Sequence, residues 1–259
     1  MIELKSAEQI ELMARAGAVL ARLYEVLPGE VQPGRTTEDL DRFAEDFIRD
    51  HAGATPAFKG LYGFPATLCT SVNEEVVHGI PSTQRVLREG DVLSVDCGVK
   101  LDGYFADAAI TVPVGEISTG ARRLLEVTDA ALARGIEAAV PGARLGDIGA
   151  AIQEGARDEG YGVVRDLVGH GIGREPHEEP QVPNWGRRGR GLKLSAGLVL
   201  AIEPMFNLGT ASIRTLADEW TVVTADGSIS AHFEHTVAIT EDGPRILTTV
   251  PGAATAAVA

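Results

Sequence analysis

"LSVDCGVKLDGYFADAAITV", residues 93–112, has the composition of a sheet interior, except that Asp96 and Asp107 stand where a buried strand would place valine. A carboxylate in apolar surroundings costs several kcal/mol unless it is compensated, and it otherwise gives up its charge. The stretch therefore predicts strands whose acids are held by something cationic. The problem recurs downstream. Glu203 closes "GLVLAIEP", where Leu198, Leu200 and Ile202 face one way and Val199, Ala201 and Glu203 the other, so both faces are covered. Glu234 opens "FEHTVAIT" as Asp107 sits in "FADAAITV", each close behind a phenylalanine.

These acids fall in matching halves. "PGRTTEDL" at 33–40 and "PGARLGDI" at 141–148 share Pro-Gly, four residues, then Asp and a branched apolar residue, an offset of 141 − 33 = 108. Asp96 and Glu203 are separated by 203 − 96 = 107, nearly the same offset. The pattern predicts two similar helix-helix-strand halves rather than a solenoid of many short repeats. Ser6 with Gln9 forms a capping box ahead of a helix over about 7–27, and Thr36 or Thr37 caps a second that closes near Gly53. Helices near 119–139 and 146–159 repeat the arrangement, and strand-like, Gly-punctuated sequence fills much of 66–112. The expected organisation is one α/β (α+β) catalytic domain over 1–250 with a flexible tail at 251–259.

Bulk composition narrows the function. The 259 residues are 44 % hydrophobic and carry a formal net charge of −14, which argues against a protein built to grip a nucleic-acid backbone. Two cysteines, Cys69 and Cys97, cannot make a disulfide framework. No signal-peptide core and no apolar run of membrane-spanning length is present. A cytoplasmic enzyme, monomeric and without membrane or specific nucleic-acid partners, is the expectation.

Four acids in four strand-like segments would repel one another, and only Lys100 is near them in sequence. Two divalent ions supply +4 against −4. Of the six histidines, His51 reads as a helix-end residue, whereas His78 in "VVHGIP", His170 in "LVGHGIG", His177 in "EPHEEP" and His232 and His235 in "AHFEHT" lie in more promising contexts. His170, flanked by glycines, offers the open approach a metal needs. An oxygen-rich set with one nitrogen suits manganese, iron, cobalt or zinc. "HEEPQ" lacks the second histidine of a zincin helix, and "GHGIGR" puts Arg174 where a dinucleotide fingerprint needs glycine.

Asp96, Asp107, His170, Glu203 and Glu234, with "HGIP" and "GHGIG…HEEP", resemble the type I methionine aminopeptidases over about residues 1–248. The resemblance implies the pita-bread fold, a pseudo-twofold architecture with an antiparallel sheet at its centre. It implies that Asp107 and Glu234 bridge two metals, Asp96 completing one shell and His170 and Glu203 the other. It also implies that the paired ions activate a water for removal of the N-terminal methionine of nascent polypeptides. Glu203 would then shuttle the proton, His177 would contact the peptide and stabilise the oxyanion, and His78 would lie near the cleaved nitrogen. Phe64, Cys69 and Trp220 match the methionine pocket, where thiol and aromatic contacts suit a thioether. His232 and His235 are expected only as neighbours of the ligands.

Two departures bear on the pocket rim: Pro176 where many bacterial relatives have phenylalanine, and Leu61 where tyrosine is frequent. The basic loop "GRRGRGLK" at 186–193 reads as a solvated loop ahead of a weak ribosome-facing patch. Two rivals remain: an Xaa-Pro peptidase of the same fold, and a non-catalytic binding module that would have lost metal ligands.

Overall fold

The computed structural model describes residues 2–250, so the tail expected at 251–259 lies outside the described residues. Helix α1 (Ala7–Glu30) starts where the Ser6–Gln9 capping box closes, with Ser6 N–H donating to Gln9 Oε1 at 2.8 Å. It runs three residues beyond the expected end and takes Pro28 into its last turn. Helix α2 (Thr37–Arg49) is capped by Thr36 and Asp39, α3 (Thr119–Glu137) by Ser118, and α4 (Leu145–Arg157) by Asp147.

The two short matching segments make the same backbone contacts. Thr36 N–H donates to Asp39 Oδ2 at 3.1 Å, and Arg144 N–H to Asp147 Oδ2 at 2.7 Å. Gly34 N–H donates to Leu87 O at 2.8 Å, and Gly142 N–H to Leu194 O at 2.9 Å. The repeat is therefore structural: each half enters its second helix through one Pro-Gly turn pinned to a later loop segment beside an isolated β-bridge, Thr36 with Val86 and Arg144 with Lys193. The basic loop is the strap of the second half, with Gly189 N–H on Asp147 Oδ1 and Arg188 paired to Glu154, both at 2.7 Å.

The halves meet in one nine-stranded sheet. Numbered along the chain, its strands are β1 (Thr55–Pro56), β2 (Leu68–Val72), β3 (Val92–Leu101), β4 (Tyr104–Pro113), β5 (Gly169–Gly171), β6 (Glu178–Val182), β7 (Val199–Ile202), β8 (Glu234–Thr240) and β9 (Gly243–Ile246). The order is β1-β3-β4-β8-β7-β5-β6, with β2 also on β3 and β9 on β8, all antiparallel. Together with the two helix pairs this is the expected pita-bread arrangement.

Helices cover one side of the sheet. Leu20, Leu23, Leu27, Leu40 and Ile48 of α1 and α2 pack with Leu93, Val95, Cys97 and Val99 of β3 and Ala106 and Ala108 of β4. Leu124, Leu132, Ile148 and Ile152 of α3 and α4 pack with Leu200, Ile202, Val237 and Ile239. Alternation along a strand then decides where the acids go. With Val95, Cys97, Ala106 and Ala108 facing the helices, Asp96 and Asp107 must face the other way. Among the described residues no helix is long and apolar enough to cross a membrane.

Gly17 sits in the middle of α1, where alanine would ordinarily stabilise a helix by about 1 kcal/mol. A Cβ there would lie 2.2 Å from Leu247 O, in the segment that follows β9. Gly17→Ala is therefore expected to lower stability by about 1–3 kcal/mol, read as a drop in the thermal denaturation midpoint. A rise in the midpoint would contradict this packing of α1.

Candidate metal centre

On the side of the sheet away from the helices is a cavity of about 570 Å³ lined by Phe64, Cys69, His78, Asp96, Asp107, His170, His177, Glu203, Trp220, His232 and Glu234. Every metal, catalytic and substrate position expected from sequence thus lines one chamber. Asp96 comes from β3, Asp107 from β4, His170 from β5 and Glu234 from the first residue of β8. Glu203 lies one residue past β7 rather than within it, and its side chain is still only 13 % exposed.

Ligand atoms of Asp107, His170 and Glu234 all fall within 4.8 Å of one another. His170 Nδ1 lies 2.9 Å from Gly171 O, which makes Nδ1 the protonated nitrogen and leaves Nε2 to coordinate. Nε2 is 3.7 Å from Glu203 Oε1, and His232 Nε2 is 3.8 Å from Glu203 Oε2.

The electrostatics are unbalanced. Among the described residues no ion pair joins Asp96, Asp107, Glu203 or Glu234 to lysine or arginine, and Asp96 Oδ1, Asp107 Oδ1 and Glu234 Oε1 are buried with no hydrogen-bond partner. Burial, and after it Asp107, pushes Asp96 and Glu203 well above the carboxylate range; burial with Asp107, Glu203 and Asp96 does the same to Glu234. Burial raises Asp107 to about 7. The histidines do not compensate, because burial lowers His170 to about 4 and His232 to about 3, so both are neutral at pH 7. Three orphaned carboxylate oxygens beside a neutral imidazole nitrogen are a donor set suited to a divalent cation.

Backbone contacts hold the candidate ligands in place. Thr236 donates its hydroxyl to Asp107 O at 2.7 Å and accepts from Asp107 N–H at 2.9 Å. Asn184 Nδ2 donates to Glu203 O at 3.0 Å. Thr111 makes the same two-way clamp on the His232 backbone, at 2.7 and 2.9 Å. His235 points away from the centre and pairs its Nδ1 with Thr248 Oγ1 at 2.8 Å. His51 caps its own helix end, with Nδ1 2.9 Å from Phe47 O.

His177 stands exposed at the mouth, its ring 4.5 Å from that of His170 and stacked on Tyr62 at 5.8 Å. The turn before it is tied by Glu178, whose Oε2 accepts from the buried Lys5 ammonium at 2.6 Å and whose Oε1 accepts from Arg174 N–H at 2.8 Å. His78 has a left-handed backbone (φ 60°), and Gly79 behind it lies so close to β2 that a Cβ would sit 2.1 Å from Thr70 O. Partial burial lowers the pKa of both imidazoles. Phe64 and Trp220 meet edge to face at 5.1 Å, with Cys69 in the same apolar cluster. Of the two departures, Leu61 lines the cavity and Pro176 is buried behind His177.

Sequence reasoning missed several supporting residues: Lys5, Asn184, Thr236 and Tyr62 are ordinary residues until the fold brings them here. Only Tyr62, in the glycine-flanked "LYG", sits in a context that marks an exposed loop tip.

The pKa shifts give a signed expectation. Acids with raised folded pKa values make the metal-free protein lose stability as pH rises, because the native state binds more protons than the unfolded chain. The depressed histidines act oppositely, but their contribution fades as pH rises above their ordinary value of 6.5. Between about pH 6.5 and 8 the histidine contribution fades and the acids dominate. Chelated protein is expected to melt lower at pH 8 than at pH 6.5, and added divalent metal to remove most of that loss. A chelated protein equally stable across this window would contradict the burial of uncompensated acids.

The comparisons agree with this geometry. The chain is 56 % identical to a methionine aminopeptidase of Clostridium acetobutylicum over 248 residues, covering 96 % of this chain and 99 % of that protein. The crystal structure of a methionine aminopeptidase from Thermotoga maritima superposes with a TM-score of 0.94 at 44 % identity, over 96 % of this chain and 100 % of that one. A prolidase from Pyrococcus horikoshii shares the fold alone, at 22 % identity and TM-score 0.77, and this chain spans 63 % of its length. The model of metallopeptidase family M24 matches residues 11–241, and with these four acids and His170 gathered on one face of the sheet, the chain belongs to that family.

Proposed function

We propose that the chain is a metal-dependent aminopeptidase that releases methionine from the N-termini of peptides and nascent chains, working as one catalytic domain. The observation that carries the reading is the convergence of Asp96, Asp107, His170, Glu203 and Glu234, with no protein cation among them, on a cavity that has an apolar wall.

Those five residues would hold two divalent ions, which when bound supply Lewis acidity and lower the pKa of a water from about 15.7 toward 7. Everything else falls to the chain's own side chains. Glu203 lies between two neutral imidazoles, 3.7 and 3.8 Å away, and once bound ions offset the burial and the Asp107 charge that keep it protonated, its carboxylate would take a proton from the attacking water. It then delivers that proton to the departing nitrogen. His177 is neutral at pH 7 and keeps one ring N–H, which it donates to the oxygen of the scissile carbonyl as negative charge develops there. His78, lining the same cavity with its pKa lowered by burial and by His177, would lie near the amide nitrogen. Phe64, Cys69 and Trp220 form the cup for the methionine side chain. Burial holds the Cys69 thiol protonated, so it acts as a soft apolar contact rather than a nucleophile.

The test is cleavage of Met-Ala-Ser and of Xaa-Pro peptides after chelation and re-addition of manganese, iron, cobalt or zinc singly. Methionine release from Met-Ala-Ser is expected, lost on chelation, restored by metal and abolished in Asp96→Asn. His177→Ala is expected to lower kcat by about 10²–10³. Preferential cleavage of Xaa-Pro bonds would favour the prolidase-type rival, and no metal uptake with binding to a macromolecular partner would favour a non-catalytic module.

A further inference from the structure

One hydroxyl behind the metal centre is not accounted for by packing. Asp96 lies opposite Ala109 and Asp107 opposite Gly98 in the β3–β4 pair, so both acids leave neighbouring positions of one ladder on its cavity side. The reverse side of that ladder carries Val95, Cys97 and Ala108, which pack on Leu20, Leu23 and Leu27 of α1. Tyr24 enters from the same helix. Its hydroxyl lies 2.6 Å from Ala108 O and 3.1 Å from Val95 O.

These are the carbonyls of the residue after Asp107 and the residue before Asp96. A phenol has one hydrogen, so Ala108 O takes the principal bond and Val95 O shares it. One side chain thus spans the two strands at the level where the acids emerge. Burial, then Cys97 and the acids Asp96, Asp107 and Glu234, pushes the phenol pKa up, which keeps it a donor. A phenylalanine would cover the same strands as well as its leucine neighbours do. What the hydroxyl adds is a fixed separation between two backbone segments, and that separation sets the distance between two carboxylates.

We propose that Tyr24 is a positioning residue for the metal centre: by tying Val95 O to Ala108 O it holds Asp96 and Asp107 at the spacing a divalent ion requires. This rests on the reading of those acids as metal ligands. Outer partners of this kind typically change metal affinity by about 10- to 100-fold when removed.

The test uses the full chain, stripped by chelator and titrated with Co²⁺ alone, in wild type, Tyr24→Phe and Leu23→Ala. Affinity is read by calorimetry, ligand geometry by the visible absorption of bound Co²⁺, and stability by thermal melting. Tyr24→Phe is expected to weaken Co²⁺ binding by about tenfold and to displace its absorption band. Leu23→Ala, which removes a fully buried side chain of the same helix, is expected to lower the melting point while keeping the wild-type affinity and band. Wild-type affinity and spectrum in Tyr24→Phe would overturn the proposal, as would an equal displacement in Leu23→Ala. If wild type takes up no Co²⁺, the reading of the acids as ligands fails as well, and that outcome is distinct from a change confined to Tyr24→Phe.

Discussion

Four carboxylates converge in the interior of this sheet, and among the described residues no lysine or arginine pairs with them. Charges so placed repel one another at short range in a poorly screened medium, so the apo chain can tolerate them only by leaving some protonated. Burial raises all four acids, with repulsion from neighbouring acids adding to it at Asp96, Glu203 and Glu234, while burial leaves His170 and His232 neutral. Such a site is costly without a metal and well matched to one.

The fold makes the arrangement reproducible by using its symmetry. Two helix pairs cover one side of a continuous sheet, so each strand turns alternate residues to the helices and the remainder to the cavity. Acids placed at equivalent points of the two halves then face each other across the join between β4 and β8, where His235 lies opposite Ala108 and Glu234 opposite Ala109. The clamps made by Thr236 and Asn184 act on backbone atoms next to the ligands rather than on the carboxylates. That division leaves carboxylate oxygens free to coordinate, which is why the same atoms stand out as unpartnered.

Much of this was legible in the chain because it depends on local chemistry. Capping residues at Ser6 and Thr36 fix helix starts through contacts three residues apart, and the period of two along a strand fixes which residues face the cavity. The eight-residue match around Pro33 and Pro141 could be read as duplication because it encodes one turn pinned in one way. His78 and His177 differ: the roles proposed for them rest on resemblance, since nothing in their spacing says what each faces. Contacts such as Lys5 with Glu178, 173 residues apart, or Tyr24 with Ala108, 84 apart, depend on tertiary geometry that no local pattern carries. Glu203 was placed in its strand by alternation and lies just past it, a one-residue difference at the kind of boundary where strand and turn preferences compete.

The central claim is that the interior acids are held by divalent ions. It is met most directly by equilibrium dialysis of chelated protein against a divalent metal, with elemental analysis of the retained ion, for wild type and for Asp107→Asn. Retention by wild type, with release of protons on binding and loss in Asp107→Asn, is the expected result. Protein that folds and retains no divalent ion, or an Asp107→Asn variant that retains as much as wild type, would contradict it.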